Sequence, residues 1–299
     1  MTIAFNQLQE LNSLIDRFAT DCDAAQAIPS VRMYRTTAPQ PPVPMAYSPG
    51  FAIVGQGAKN LVVGNERYRY GSGDYLLTAM DVPVITQIVE ASERVPYYCM
   101  TLSFDTLRIV DLLHRLPNPP SDHGTVQRGV AVNPLTPELL DGAVRLLRLL
   151  DRPDQAPVLA PLIEEEMLFR LLTGPDGPRL RNIAMAGSQT HKLGRAIDWL
   201  RQNFARPLRV EALADHVGMS LSSLHHHFKS FTAMTPVQYQ KQLRLQEARR
   251  LMLVDKLDVA SAGHQVGYLS PSQFSREYAR LYGASPGRDI TGIRDAVAA

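Results

Sequence analysis

Cysteine is scarce in this chain of 299 residues, and long apolar runs are missing. The two cysteines, Cys22 and Cys99, lie far apart, which is typical of a reducing compartment. They are expected to be plain buried or half-buried thiols, with redox or aldehyde sensing as the alternative. No apolar run could cross a bilayer. Residues 1–18 lack a secretion signal and have helical apolar spacing, so we expect a cytoplasmic protein that begins with an amphipathic helix.

Sequence motifs of catalysis are missing as well. The chain contains no G-x-S-x-G, no P-loop and no G-x-G-x-x-G, since GQGAKN at residues 55–60 lacks the third glycine. The main alternative from another class is a metal-dependent enzyme of cupin type, which needs clustered histidine and carboxylate ligands. Residues 1–189 hold only His114 and His123, both outside the region with strand patterns. We therefore expect no enzyme, no cofactor and no metal site.

The net charge of +2 conceals an uneven distribution. Residues 190–290 carry 14 lysines and arginines against 8 acidic residues, whereas residues 1–189 carry 16 against 20. A basic C-terminal third beside an acidic remainder indicates that only the C-terminal part meets a polyanion. Solvated surfaces also produce such imbalances, so the charge pattern needs support from motifs.

Residues 51–104 have the pattern of a β-rich domain. Short runs rich in Val, Ile, Tyr and Phe are separated by Gly, Pro, Asn and Asp, and the Gly64-Asn65 pair predicts a two-residue hairpin. Six or more such strands imply a sandwich or small barrel. The flanking expectations are an extended segment at 38–50, a helix at 105–115 and a further strand near 126–132.

Helical spacing dominates the chain after residue 135. Thr136 is a predicted N-cap with Pro137 at the first helical position. The helix that follows is apolar on more than one face, so it must be covered on two sides. Either its own domain supplies both coverings, or a second subunit covers one side. The predicted subunit contacts are Leu140, Val144 and Leu147.

An internal repeat is visible in the C-terminal third. LRVEALADHVGMSLSSLHHHF (208–228) and LDVASAGHQVGYLSPSQFSREY (257–278) match at their leucine, valine and V-G positions, with one residue inserted after the turn. Each copy predicts a short helix, a turn at its V-G and a second helix that opens after a serine, which is the helix-turn-helix plan. Two such motifs in tandem are a strong signal for DNA binding.

The segment between the two copies predicts a rigid connector. Residues 236–253 start with Pro236 after Thr235 and are rich in good helix formers. An α-helix of that length spans roughly 27 Å. Successive major grooves on one face of B-DNA recur at about 34 Å. One chain can therefore present two recognition helices to adjacent grooves.

These motifs resemble the DNA-binding domain of the AraC/XylS family of bacterial transcription regulators. The resemblance covers about residues 190–290 through LADHVGMSLSSLHHHFKSFTAMTPVQYQ, LRLQEARRLM and VGYLSPSQFSREYARLYGASP. The stretch from TAPQPPVPMAYSPGFAIVGQGAKN to YGSGDYLLTAMDVPV is similar to the cupin-like N-terminal domain of one AraC-type subgroup. The resemblance implies an N-terminal domain that senses a small molecule or mediates dimerisation, and tandem motifs that bind promoter DNA.

The expected fold is therefore α+β. A cupin-like β-barrel or sandwich with a helical dimerisation segment at 136–172 occupies residues 1–178, and an all-α domain with two helix-turn-helix motifs occupies residues 179–299. The boundary falls at the Gly/Pro-rich stretch 173–178. Expected partners are double-stranded promoter DNA, a small-molecule effector, RNA polymerase and a second copy of the chain, and no membrane. A protein-interaction adaptor that keeps the fold without binding DNA is the alternative.

Three consecutive histidines fall in the second helix of the first motif. Successive helical side chains step about 100°, so His225, His226 and His227 fan around the axis and cannot converge on one metal ion. Leu224 is expected to face inward, which turns His225 and His226 towards the groove and leaves His227 partly packed. The matching family positions carry base contacts, commonly from longer or more basic side chains. The predicted DNA-contacting set is Ser220, Ser222, Ser223, His225, His226 and Lys229.

The second motif offers a better-defined readout. Arg276 can take the O6/N7 edge of guanine with two hydrogen bonds, and Gln273 can pair with adenine N6/N7. The alternative for Arg276 is a surface salt bridge with Glu277 or Asp289. The predicted DNA-contacting set here is Ser270, Ser272, Gln273 and Arg276. Other basic residues are expected either to contact phosphates or to be solvated, and these are Lys241, Arg244, Arg249 and Arg250.

Aromatic residues at strand spacing are the candidates for an effector pocket in the β domain. The set comprises Tyr68, Tyr70, Tyr75 and Tyr98, with Tyr97 and Phe104 beside them. Ordinary core is the alternative and the more frequent role of such residues. In the second motif, Gly263 stands where the family usually has alanine, which costs about 1 kcal/mol of helix propensity.

Overall fold

A computed structural model describes residues 5–19, 27–116, 128–184 and 189–298, so the expectations for Cys22 and His123 lie outside the described residues. The predicted α+β architecture is confirmed. Helix α1 (Phe5–Phe18) comes first and a run of strands follows. The strands are β1 (Val31–Thr36), β2 (Val43–Tyr47), β3 (Gly50–Gln56), β4 (Ala58–Val63), β5 (Glu66–Gly71), β6 (Asp74–Thr78), β7 (Val82–Glu90), β8 (Tyr97–Ser103) and β9 (Val130–Pro134).

The strands form two antiparallel sheets that share one apolar core. One sheet has the order β1-β8-β3-β6-β9 and the other the order β2-β7-β4-β5. The predicted hairpin joins β4 to β5, where Val63 pairs with Glu66 and Gly64 adopts a φ of +59°, a conformation that favours glycine. The sequence patterns predicted no strand at β1, because its arginines obscure the apolar alternation.

The helix after β9 begins as predicted, and the residues expected at a subunit contact are buried within the chain. The Thr136 Oγ1 accepts a hydrogen bond from the Leu139 N–H at 3.3 Å, and Pro137 opens the helix. Its neighbours in the chain, helices from the same N-terminal part, cover it on two sides. Leu140, Val144 and Leu147 are at most 1% exposed, so the prediction of a dimer contact through them is wrong. The helices of this part are α2 (Thr106–Arg115), α3 (Pro137–Arg148), α4 (Ala156–Thr173) and α5 (Gly177–Ala184).

The tandem helix-turn-helix plan is confirmed. Both predicted serines cap their helices, since Ser220 Oγ accepts from the Ser223 N–H and Ser270 Oγ from the Gln273 N–H. The glycine of each V-G turn has positive φ, +67° at Gly218 and +90° at the glycine of the second copy. The helices are α6 (Gln189–Asn203), α7 (Val210–Val217), α8 (Leu221–Thr232), α9 (Pro236–Leu253), α10 (Val259–Gln265), α11 (Pro271–Tyr282) and α12 (Pro286–Ala298).

Gly263 in α10 has a packing reason. A Cβ at this position would lie 3.0 Å from the ring of Phe274, which is itself 1% exposed at the centre of the second motif. Glycine therefore leaves the space that the phenylalanine ring occupies, and this contact offsets the lower helix propensity.

The two helix-turn-helix motifs have separate cores. The core of the sheets continues into the first motif, where Leu213, Phe228 and Tyr239 are fully buried. The second motif has a core of its own, centred on Leu245, Phe274 and other residues of α9 to α12. The N-terminal part thus shares its core with the first motif, while β2 also contacts α9 and, in the second motif, α11. The boundary predicted at 173–178 falls inside the shared core and stays a prediction.

Candidate nucleic-acid interface

Helix α8 presents a polar face that the protein does not cover. Leu224 and Phe228 point inward and are completely buried. His227 is half-buried, and its Nδ1 has no hydrogen-bond partner within the described part of the chain. Burial together with the neighbouring His226 lowers the pKa of its imidazole. The exposed side chains are Ser222, His225, His226 and Lys229. The predicted orientation of the three histidines therefore matches the structure, while their contact with DNA stays a prediction.

The histidine run belongs to no cluster of three or more metal-ligating side chains among the described residues. The rings of His226 and His227 lie 5.1 Å apart between centroids and are inclined by 74°. No group of three or more His, Cys, Asp or Glu side chains that could hold a metal ion occurs within the described ranges. The other members of the predicted set are Ser220 and Ser223. Ser220 is the N-cap of α8, and Ser223 lies in the first turn of the helix and is half-buried.

Helix α11 presents the matching face of the second motif. Phe274 and Tyr278 are buried, whereas Ser272, Gln273 and Arg276 are exposed. The Gln273 Nε2 donates a 3.3 Å hydrogen bond to a Glu277 carboxylate oxygen, along the same helix. This bond is long and exposed, so an incoming base edge can replace it.

The two carboxylates proposed as alternative partners of Arg276 are engaged elsewhere. Glu277 pairs with Lys241 at 3.0 Å and accepts a hydrogen bond from the Tyr268 hydroxyl. Asp289 lies in a bidentate pair with Arg249. Among the residues that the structure describes, Arg276 therefore has no carboxylate partner, which favours its prediction as a base-contacting residue.

Two of the four predicted phosphate contacts are contradicted. The Arg244 guanidinium donates to the backbone carbonyls of Phe204, Ala205, Arg206 and Gly267 at 2.7 to 3.3 Å. Arg249 donates to both Asp289 oxygens at 2.8 and 2.9 Å, and its side chain is 17% exposed. Arg244 thus joins the segment before the first motif to the turn of the second, and Arg249 joins α9 to α12. Both guanidinium groups are used within the protein.

The other two predicted phosphate contacts stay predictions. Lys241 is 47% exposed beside Glu277, and Arg250 is 48% exposed between Glu247 and Asp255. These carboxylates raise the pKa of the Arg250 guanidinium by hydrogen bonding. Either cation reaches a phosphate only after leaving its carboxylate, which exposed side chains do at low cost.

The four tyrosines predicted as an effector pocket do not line one cavity. The Tyr75 hydroxyl donates to Asp176 at 2.8 Å, and the Tyr98 hydroxyl donates to Asp16 of α1 at 2.7 Å. Both rings lie on the sheet face that helices cover. Phe104 lines a separate cleft beside α2. Tyr68 and Tyr70 lie on β5, which belongs to the second sheet. The prediction of a common pocket for the set is therefore wrong.

The space between the sheets contains a lysine that the sequence patterns missed. Lys59 pairs across strands with Tyr70 and with Ile88, both nearly fully buried, which places its side chain on the inner face. Its ammonium lies 5.4 Å from the centre of the Tyr47 ring. No ion pair of Lys59 occurs among the described residues. Strand alternation was the available signal, since Lys59, Leu61 and Val63 share one face.

Two further inner-face groups accompany this lysine. Tyr97 is 0% exposed, and its hydroxyl has no hydrogen-bond partner among the residues that the structure describes. Cys99 is a buried free thiol, as expected, and burial raises its pKa while the charge of Lys59 opposes that rise. On the edge strands β1 and β2, Tyr34 and Met45 are 43% and 45% exposed.

A β-domain packed on two helix-turn-helix motifs with exposed polar faces is the architecture of a DNA-binding regulator. A family model described as AraC-type transcriptional regulator N-terminus matches residues 27–179, and one described as helix-turn-helix domain matches residues 213–290. The chain belongs to the AraC-type family of transcriptional regulators.

Known relatives agree with this assignment. The HTH-type transcriptional regulator ArgR of Pseudomonas aeruginosa is 30% identical over 48% of this chain and 44% of its own length. The HTH-type transcriptional activator RhaS of Salmonella schwarzengrund is 30% identical over 51% and 54%. The chain thus spans about half the length of the curated relatives it matches.

The fold extends over most of one solved structure. ToxT of Vibrio cholerae, bound to an unsaturated fatty acid, superposes with a TM-score of 0.58 at 12% identity and covers 87% of this chain and 94% of its own. That likeness shows the fold. Within the described ranges, no helix has the length and apolar character needed to span a membrane.

Proposed function

We propose that the protein regulates transcription by reading two adjacent major grooves of promoter DNA with α8 and α11. The observation that carries this proposal is the pair of uncovered polar faces at equivalent positions of the two motifs. His225 and His226 contact bases or phosphates in one groove, while Gln273 and Arg276 read base edges in the next. With promoter DNA as its target, the proposed location of the protein is the cytoplasm, and RNA polymerase is a proposed partner. No catalytic role is part of the proposal.

Binding to DNA from its own locus tests the proposal. The purified full-length protein is mixed with the intergenic DNA beside its own gene, with and without metabolite extracts, and footprints are recorded. We expect protection of two segments about one helical turn apart, together with salt-dependent retention on heparin. A protein-interaction adaptor would show neither. Protection of a single groove would contradict the two-groove arrangement.

We further propose that the effector is a monoanionic carboxylate held between the sheets. Lys59 supplies an ammonium without an ion-pair partner among the described residues, and the unpartnered hydroxyl of Tyr97 supplies a donor. Tyr34 on β1 and Met45 on β2, both partly exposed, offer apolar contact to the rest of the effector molecule. The fatty acid bound by the structurally similar ToxT supports this ligand class.

The effector proposal predicts charge-dependent binding of a simple probe. Octanoate is expected to bind the full-length protein at least about tenfold more tightly than octanamide, because only the anion pairs with the Lys59 ammonium. Lys59→Gln is expected to remove that difference, while Lys256→Gln, in the exposed segment between α9 and α10, leaves it unchanged. Isothermal titration calorimetry measures both ligands. Equal binding of octanoate to wild type and Lys59→Gln would refute the site.

For the homodimer we propose the outer face of α4 in place of the buried residues of α3. Val158 and Leu162 are 68% and 61% exposed there, and Leu159 and Phe169 are each 38% exposed. A groove of about 740 Å³ beside them is lined by both arginine and acidic side chains, so the surface offers matching charges to a second copy of itself.

Leu162→Asp is expected to convert the dimer to a monomer at micromolar concentration. A carboxylate at the centre of an apolar contact loses hydration without gaining a partner, at a cost of about 2–5 kcal/mol. Val95→Asp is the matched control, since Val95 is 51% exposed on a loop of the same domain away from α4. Multi-angle light scattering reports the mass. A dimer that survives Leu162→Asp would place the interface elsewhere.

A further inference from the structure

An arginine of the N-terminal domain reaches the carboxyl end of the first recognition helix. Arg128 precedes β9, and its Nη1 donates to the carbonyls of Lys229 and Ser230 at 2.8 and 2.5 Å. Its Nη2 donates to the carboxylate of Glu66 on β5. One guanidinium thus joins the β-domain to the last turn of α8.

Helix chemistry gives this contact a specific role. The last carbonyls of a helix have no N–H partners of their own and carry the negative end of the helix dipole. A guanidinium at that position satisfies them and complements their charge. The Ala233 N–H also bonds the Lys229 carbonyl at 2.9 Å, so this oxygen accepts two donors. Arg128 therefore holds α8 at its carboxyl end, opposite the Ser220 cap. This helix carries the predicted groove contacts of the first motif.

The surrounding surfaces are packed too closely for an incidental contact. The Gly129 N–H donates to the Phe231 carbonyl at 3.0 Å, and a Cβ on Gly129 would lie 2.3 Å from the Phe231 ring. On the other side, a Cβ on Gly64 of the β4–β5 turn would lie 2.3 Å from the Ala233 carbonyl oxygen. Glycines therefore let both segments approach α8 at backbone distance.

The arginine is also tied to the interior of the β-domain. Glu66 accepts a 2.7 Å hydrogen bond from the hydroxyl of Tyr68, whose strand partner Leu61 is 0% exposed. Burial and this carboxylate raise the pKa of Tyr68 to about 12, so its hydroxyl stays a proton donor. The Arg128 carbonyl accepts from Arg179 Nε at 2.5 Å. The guanidinium and the backbone of Arg128 are thus both fixed from the N-terminal side.

We propose that Arg128, held by Glu66, is a positioning residue for DNA recognition that fixes α8 in the orientation required for simultaneous contact by α11. The inference rests on the proposed two-groove binding. The contacts of Arg128 favour DNA binding, since Ser222, His225 and His226 stay exposed while these contacts are made. The bonds of Arg128 with Glu66 and α8 therefore orient the first motif for DNA and do not block it. Loss of these bonds lets α8 shift relative to α11.

Binding of the full-length protein to a duplex selected by the wild type from a random pool tests this role. Arg128→Ala is expected to bind that duplex about tenfold more weakly, with both half-sites still protected at saturating protein, because α8 must be reoriented before it makes the same contacts. The slope of log affinity against log salt is expected to stay unchanged, because Arg128 contacts no phosphate. Glu66→Gln is expected to have a smaller effect in the same direction, and Arg128→Lys to restore part of the loss.

The matched control is Arg108→Ala. Arg108 likewise bonds a carboxylate, Glu164, and a backbone carbonyl, that of Pro161, but lies far from α8. It is expected to leave DNA binding unchanged. Unchanged or tighter binding by Arg128→Ala, or a loss with a reduced salt slope, would overturn the positioning role. A wild-type protein that selects no duplex would instead refute the proposed function itself, before any variant is compared.

Discussion

Replacing Arg244 with methionine is expected to destabilise the second helix-turn-helix motif by about 2–4 kcal/mol. The guanidinium satisfies four carbonyls on two segments, at Phe204–Arg206 and at Gly267, and hydrogen bonds to charged groups are each worth about 1.5–3 kcal/mol. Because the site is only partly buried, water can hydrate the carbonyls that Arg244 leaves, and this recovers part of the lost free energy. Methionine is an unbranched side chain of similar reach that offers no donor and no charge to the Tyr268 ring. Urea unfolding of the full-length protein measures the change.

Arg250→Met is the control for this prediction. Arg250 lies on the same helix, yet its carboxylate partners are exposed, and exposed pairs contribute about 0–1 kcal/mol. Equal stability of the two variants would contradict the structural role of Arg244. The salt dependence of DNA binding gives an independent test, since Arg244→Met is expected to keep the wild-type slope. A slope reduced by about 1 would return Arg244 to the phosphate-contacting residues.

The misassignment of Arg244 and Arg249 has a simple physical origin. Helix α9 packs on both recognition modules, so buried residues occur around much of its circumference, as Tyr239, Leu245 and Met252 show. Periodicity therefore does not distinguish its solvent face from its protein face. A basic residue in such a helix has the same sequence signature whether it meets a phosphate or the last carbonyls of a neighbouring segment.

The same limit applies to α3 and to the tyrosines. An apolar helix signals that two sides are covered, and Leu140 is buried either way, so the sequence leaves open which chain supplies the cover. Tyr97 and Tyr98 are adjacent, so they must point to opposite sheet faces. Which face is closed by helices and which looks into the space between the sheets depends on packing between distant segments. Caps and turns, by contrast, depend on a few consecutive residues, and those at Thr136, Ser220 and Ser270 were predictable.

Arg276→Ala is expected to weaken binding to the selected duplex by roughly 1–3 kcal/mol and to relax preference at one base pair. Arg276 is exposed on α11, and the two carboxylates considered as its alternative partners, Glu277 and Asp289, are already paired with Lys241 and Arg249. Its guanidinium is therefore free to bond the O6 and N7 atoms of a guanine, a contact that no other base pair reproduces. Competition binding against duplexes altered at each position measures the change in preference.

Two comparisons separate base reading from general attraction to DNA. Lys229→Ala, at the exposed end of α8, is expected to weaken all duplexes alike and to reduce the salt slope by about 1, as a phosphate contact does. Arg94→Ala removes a charge from an exposed loop of the β-domain and is expected to change neither quantity. If Arg276→Ala behaves like Lys229→Ala, with equal losses on every duplex, then α11 holds the backbone through Arg276. Readout in that groove would then depend on Gln273 and Ser272 alone.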